Sequence, residues 1–577
     1  MERARRGRER GAFLFGQGSP AGGGAIPMLD GYPVPIFSLP LGDAGAGAVT
    51  LTPSISIGSE TPTFTRATTA YQEDFEGKRN LCLSGEARMQ GARRVYNLIP
   101  AAGTGSASLA VAAAKTITVG VGTYVFSMGA EATGTSVITF TGTATGSTGT
   151  ITANATKRTA KTLTITGAGD IVATCTEIAA NNLLLENVTG QSNQNPSEYV
   201  SVGVLSAPYH GAGVDGVKYF STLNANTVAS NVVTEATGAA IIAGASGVAA
   251  TAPVDAGGPF GYLAEGAGTN LALWSNDLTQ VATWPVVTMT TAFTSTGPDG
   301  VANSATRLTA TGANATILQL YVAAASSRTN SVWARRVTGT GTIKLFQGAT
   351  KTADLSASLN TNTYTLIQQN ANVDVTLLGF GIEIGTSGDA IDVWGNGFQA
   401  GGFATSPIPT TTVAVTRNAD VLTYPSAGNA SSTSGSAYAE FTSAAPATFP
   451  ASIATIPLID TYNGTEGTIL QIEGAGVGHE RQLMIFDGAT SRYLASAYTF
   501  PVSTPTKIAS SWGGSATQGV IAGGTVGSAG FDGNLNLAAV LPIGYEYGRT
   551  LSLFGTIRNV RIYGQALSAA QLQAMTS

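Results

Sequence analysis

"KTITVGVGTYVFSMGAEATG", residues 115–134, decides the fold class. Ile117, Val119 and Val121 alternate with small polar residues, which is the period of a half-buried strand, and a second strand follows around Tyr124–Met128. "SVITFTGTATGSTGTITANATK" (136–157) repeats the device, with Ile138 and Phe140 on one parity and Val137 and Thr139 on the other. "KTLTITGAGDIVATCTEIAANNLLLENV" (161–188) puts Leu163 and Ile165 on one face, and Thr162, Thr164 and Thr166 on the opposite one. Strands this short, divided by Gly-Thr turns, read as an antiparallel, jelly-roll-like sandwich over 97–200.

The same order recurs over 261–422. "ATRLTATG" (305–312) is a strand, others fall around 318–322 and 331–337, and Ile391 and Val393 oppose Asp392 and Trp394 in parity. A third block, 425–577, reads as further strands and turns, ending in "LSLFGTIRNVRIYGQALSAAQLQAMTS" (551–577). There Ile557, Val560 and Ile562 are strand positions with a parity break near Asn559. Ser568 and Gln571 then form a capping-box pattern, and Leu567 and Leu572 have the spacing of a hydrophobic staple. A helix over 569–576 follows, with Leu572 and Met575 on its packed face.

The rest is less regular. The prolines of "GYPVPIFSLPLGDAGAGAV" (31–49) argue against a central strand, so 1–50 reads as an extended N-terminal arm lying on a neighbour. Residues 51–96 read as a short β segment, and 201–260 as a Gly/Ala-rich connector. The expectation is an all-β chain of tandem antiparallel sandwiches behind that arm.

Composition narrows the function. Charged residues are 11 %, against about 25 % in ordinary globular proteins, and Gly is 73 of 577. Net charge is −5, which supplies no footprint for nucleic acid; the one basic run is "MERARRGRER" (1–10). Cys82 and Cys175 make no disulfide framework, and His210 and His479 make no zinc motif, so no metal site is assigned. "ATGAAIIAGASGVAATAPV" (236–254) is uncharged but small-residue-rich and contains Pro253, so no membrane span is expected.

"LAEGAGTNLALWSNDL" (263–278) resembles the start, and "NGFQAGGFATSPIPTTTVAVTRNADVL" (396–422) the end, of carbohydrate-binding-module-like jelly rolls in tailed-phage structural proteins. "LENVTGQSNQNPSEYVSVGV" (185–204) resembles the close of a sibling domain, and "TPTFTRATTAY" (61–71) the segment before such domains. "GTIRNVRIYGQALSAAQLQAM" (555–575) is similar to the last strand and helix of concanavalin-A-like, laminin-G-type domains. The chain departs from the jelly-roll pattern at Gly268, where relatives often carry Arg. The resemblance implies a virion protein, a spike, fibre or minor capsid component. It would be homo-trimeric, packed on other virion proteins and able to bind cell-surface glycans. Laminin-G-type domains often hold calcium, but Asp460, Glu466, Glu473 and Asp487 form no compact acidic cluster, so no cofactor is assigned.

Glycan recognition calls for aromatic platforms and planar polar groups. Trp333, Arg335, Trp394, Trp512, Tyr545 and Tyr547 are the candidates. Trp333 beside Arg335 and Arg336 offers a stacking and bidentate set; the alternative is a strand whose Trp333 faces the core while the arginines reach solvent. Trp274 reads as a core plug at the edge of its sandwich, and Trp394 as an outer-face residue or one buried in a neighbouring layer. Glycan cleavage, as in a depolymerase or endoglycanase, requires two carboxylates across a cleft. Glu186, Glu198, Glu265, Glu383 and Asp392 show no short-range pair and read as exposed or turn residues, and His479–Glu480 lacks a nucleophile, so no catalytic residue is assigned. A purely packing capsid decoration protein is the third function class.

Overall fold

The computed structural model describes 28–29, 32–39 and 41; 51, 55–59 and 61–99 with short breaks; and 109–189 with breaks at 131–134 and 155–158. It further describes 203–207, 219–221, 231–235, 261–443 with breaks at 322–325 and 374–377, and 455–577 with breaks between 462 and 503 and at 547–550. The chain is all-β, built of antiparallel sheets stacked as sandwiches.

In the first sandwich, strands Ala114–Val119, Gly169–Glu177, Thr135–Thr141 and Gly149–Asn154 pair in that order. They face a sheet containing Ala180–Asn187, Gly122–Ala130 and Thr159–Ile165. Ile117, Tyr124, Phe126, Ile138, Phe140, Leu163 and Ile165 fill the space between, with Phe126 edge-on to Phe140 at 4.9 Å. Val121 departs from its expected place, being 65 % exposed. The strand ends at Val119, and Gly120 and Val121 form the crossing from one sheet to the other. Part of the expected connector is also strand: Gly203–Ala207 pairs with Arg93–Asn97, and Asn231–Glu235 pairs with Thr159–Ala160. His210 and the run 236–254 lie outside the described residues. Among the described residues no helix is long and apolar enough to cross a membrane.

The second sandwich packs a five-stranded sheet holding Ala315–Tyr321 and Leu378–Ile384 on another holding Ala305–Ala310, Ala390–Ala400 and Ser326–Thr338. Trp284, Leu308, Ile317, Val332, Ala334, Phe380, Ile391, Val393 and Phe398 lie in its core, where Phe380 stacks on Phe398 at 4.1 Å. Gly268–Asn270 pairs with Val415–Arg417, so the ends of the sandwich leave side by side. Trp274 packs half-buried against this core, as a plug would.

The third sandwich cuts across the sequential division. One of its sheets runs Ile55–Ser56, Phe37–Leu39, Gly555–Tyr563, Gly435–Ser443, Thr506–Gly513, Ala516–Ile521, Gly527–Gly530. Gly261–Ala264 also pairs with Gly555–Tyr563, and Met89–Gln90 with Gly261–Ala264. The facing sheet runs from Ser491–Ala495 to Val421–Pro425 and closes on Thr63–Thr65. Phe37, Leu39, Met89 and Tyr262 share one core with Trp512, Ile557, Leu470 and Ile543. The expected arm therefore contains an interior strand of this sandwich, and 51–96 is distributed around it. The prolines do not prevent this, because Pro33, Pro35 and Pro40 flank Phe37–Leu39 and leave its backbone N–H groups available to the ladder. The first and second sandwiches are thus insertions between strands of the third.

The last strand breaks parity as expected: Asn559 has φ 51°, and the register against Gly435–Ser443 shifts between Tyr438 and Glu440. Helix Ala569–Thr576 carries the full capping box, and Leu567, Leu572 and Met575 pack on the outer face of the sheet beside Tyr438, Val520 and Tyr563.

Candidate functional site

Parity places the site. In Ser326–Thr338, Val332 and Ala334 point into the sandwich core, which sends Trp333 and Arg335 to the outer face. In Ala390–Ala400 the same alternation sends Asp392 and Trp394 outward. This outer face is not bare. The hairpin Ala70–Glu73/Arg79–Cys82 lies on it, with Tyr71 edge-on to Trp394 at 5.0 Å and Arg79 N donating to Pro298 O at 2.8 Å. Gly297 beside it has no room for a side chain, since a Cβ there would come within 2.8 Å of Trp394 Cδ1.

Between hairpin and sheet runs a cleft of about 510 Å³, walled by Lys78, Arg79, Trp333, Arg335, Asn362 and Tyr364. A second cleft of about 300 Å³ shares Lys78 and Arg79 and continues toward Glu186, Asn187 and Asp299. Arg79 stacks over Trp333, its guanidinium carbon 3.9 Å from the ring centroid, and is paired with Glu73 at 2.6 Å. Arg335 lies over Tyr364 at 4.8 Å. The Tyr364 hydroxyl donates to Thr296 O at 2.8 Å, and burial followed by the Asp392 charge pushes its pKa up.

Behind the cleft, Arg307, Asp392 and Arg335 stand in register on three neighbouring strands. Arg307 Nε lies 2.9 Å and Arg335 Nη2 2.7 Å from the Asp392 carboxylate, and Ser295 Oγ donates to it at 2.6 Å. Burial pushes the Asp392 carboxyl up, but the hydrogen bonds from Arg307, Ser295 and Arg335 outweigh it and hold the group below the ordinary carboxylate range.

The hairpin's roots enter a buried ion cluster. Arg66 Nη1 meets Asp420 Oδ1 at 2.6 Å, Arg88 pairs with Asp420 and, at 2.7 Å, with Glu265 Oε2, and Arg417 Nη1 reaches Glu265 Oε2 at 3.2 Å. Ser406 N donates to Glu265 Oε1 at 2.8 Å. Burial alone would raise the Glu265 pKa; Arg417, Arg88 and Ser406 together bring it down to about 2. These residues clamp the chain entering the second sandwich to the chain leaving it, and both to the hairpin.

Of the expected glycan-binding residues, Trp333 and Arg335 come together in the cleft. Trp333 is half-buried on the outer face, so its alternative core placement is overturned: the core positions of its strand are Val332 and Ala334. Arg336 does not reach solvent either; it is buried beside Asp389. Trp394 is 0 % exposed under Tyr71, and Trp512 is 0 % exposed in the third sandwich's core, where Nε1 donates to Ser431 O at 2.9 Å. Neither indole has a face left for a ligand, so both are corrected to packing residues. Tyr545 is half-buried in a bridge with Ser552, away from both clefts, and Tyr547 lies outside the described residues. The acids read as exposed or turn residues also differ from expectation: Glu265, Glu383 and Asp392 are buried and ion-paired, and Glu186 is buried. Glu198, His479, Glu480, Glu466 and Asp487 lie outside the described residues, among which no three His, Cys, Asp or Glu side chains converge on a metal-sized site. Reading the sequence missed Lys78, Arg79 and Tyr364. "EDFEGKRN" (73–80) carried the signal, with five charged residues in a charge-poor chain.

The fold and cleft define an all-β, multi-sandwich protein with a cationic, aromatic-backed groove. No family model matches the chain, and no curated protein matches it. Among solved structures it is similar to domain 4 of AbnA, a GH43 extracellular arabinanase from Geobacillus stearothermophilus, solved in complex with arabinotriose. The identity is 15 % over 30 % of this chain and 82 % of that one, with a TM-score of 0.23, a level that carries nothing for function.

Proposed function

We propose that the chain is a structural protein of a tailed-phage virion, displayed as a homo-trimer at the capsid, neck or tail, and that its Trp333–Arg335 cleft holds a host-surface glycan. The cleft is the observation that carries the binding half. It is open, about 510 Å³, and lined by guanidinium, amide and hydroxyl donors over aromatic rings. The sequence resemblance over 261–422 and 555–575 supports the virion half, and many weak sites on one particle would supply avidity. A packing capsid decoration is the second reading, favoured by the burial of Trp394 and Trp512. Glycan cleavage requires a protonated carboxyl, and the ion-paired Glu265 and Asp392, both held below the ordinary carboxylate range, do not suit that role.

A glycan array probed with the full chain, beside a density map of the assembled particle, tests this. The expected result is binding that an Arg335→Ala, Asn362→Ala double variant of unchanged melting temperature loses, together with trimeric density on the particle. A blank array removes the attachment half; absence of the chain from particles removes the virion half.

A further inference from the structure

We infer that the ligand of this cleft is an acidic glycan whose carboxylate is set against Arg335. The inference rests on the glycan reading above and narrows it. A neutral sugar is recognised by stacking on a bare ring, and among the described residues neither ring lining this cleft is bare. Arg79 lies over Trp333 at 3.9 Å and Arg335 over Tyr364 at 4.8 Å, so the aromatics back the cations instead of facing a ligand.

The charges point the same way. Among the described residues, Lys78, Arg79 and Arg335 line the cleft against one carboxylate, that of Glu73, in a chain whose net charge is −5. Arg79 is committed to Glu73 at 2.6 Å and is nearly buried, and Lys78 Nζ donates to Thr189 O at 2.8 Å. Arg335 differs. Its Nη2 donates to Asp392 Oδ2 at 2.7 Å, and its side chain remains 26 % exposed. Asp392 is already shared with Arg307, so two guanidinium groups face one carboxylate and the trio keeps a formal charge of +1. A second carboxylate, brought by the ligand, would balance it through paired, charge-assisted hydrogen bonds. At the rim, Asn360 Oδ1 accepts from Asn362 N and Thr363 N at 2.8 Å each and Asn360 Nδ2 donates to the Thr363 hydroxyl at 2.9 Å, which fixes the turn that places the Asn362 amide on the cleft wall where sugar hydroxyls would lie.

The test titrates the full chain with oligogalacturonate and with oligosialic acid, each against its methyl ester, and with a sulfated oligosaccharide. A neutral-glycan array runs alongside. At least one free acid should bind about tenfold or more tightly than its ester, a preference that fades as salt is raised. Arg335→Gln should remove the preference while leaving the melting temperature of the second sandwich in place. Because the acid–ester comparison uses the unaltered protein, a destabilised variant does not obscure it. Equal binding of acid and ester, binding of neutral glycans alone, or a preference for sulfate overturns this inference and leaves the glycan reading standing. No binding to any acid or to the array overturns both.

Discussion

At the scale of single residues, Glu265 shows how far tertiary context moves a side chain's role. It sits between Ala264 and Gly266 in an apparent turn, yet it is 5 % exposed and paired with Arg88 and Arg417. A buried ion cluster of this kind adds little over an apolar substitute, but breaking it leaves charges without partners. Arg88→Ala should therefore lower stability by about 3–5 kcal/mol, measured as a shift in the chain's main thermal or denaturant transition. An unchanged transition would show the cluster to be dispensable. The pH dependence follows from the same pairing. The folded pKa of Glu265, about 2, lies below its ordinary value of 4.5, so its contribution is fully present above pH 4.5 and declines as pH falls toward 2. Melting curves between pH 6 and 2.5 should show a loss on acidification that Glu265→Gln, already destabilised at pH 6, shows to a smaller degree.

Among elements, the hairpin 70–82 and the terminal helix differ in how they are specified. The helix is locally encoded: Ser568 and Gln571 cap each other and Leu567 meets the cluster around Leu572. Ser568→Ala should cost about 1 kcal/mol, seen as faster hydrogen exchange confined to 569–576. The hairpin depends on what lies beneath it. Tyr71 closes over Trp394, and Arg79 over Trp333. Trp394→Ala should remove about 3–5 kcal/mol and loosen the hairpin, whereas Trp512→Ala should damage only the third sandwich. Exchange rates at 70–82, accelerated in the first variant alone, check this.

For the molecule as a whole, the insertion of two sandwiches into a third governs which pieces stand alone. A fragment 266–420 keeps the complete core of the second sandwich and should fold cooperatively. A fragment 425–577 loses Phe37–Leu39, Thr63–Thr65, Gly261–Ala264 and Val421 to Tyr424, leaving the strand that carries Ile557, Val560 and Ile562 paired to Gly435–Ser443 on one edge and bare on the other. It should aggregate or resist refolding. Circular dichroism and limited proteolysis of the two fragments decide the matter; a soluble, cooperative 425–577 would contradict the topology.

What the sequence determined by itself is whatever depends on neighbours a few residues away. The period-2 alternation around Ile117, Ile138 and Leu163 marks strands and their buried faces, the parity break near Asn559 marks a bulge, and Ser568–Gln571 starts a helix. Part of the site was legible for the same reason, since parity alone puts Trp333 and Arg335 on one face. Only the tertiary structure decided what covers that face. Trp333 and Trp394 share an orientation, but one borders a cleft and the other is sealed under Tyr71. Likewise only pairing across the chain turned Phe37–Leu39 from an arm into an interior strand and Glu265 from a turn residue into the centre of a clamp. Alternation specifies two faces of a strand, and the partner that buries the second face comes from a part of the chain that local pattern does not reach.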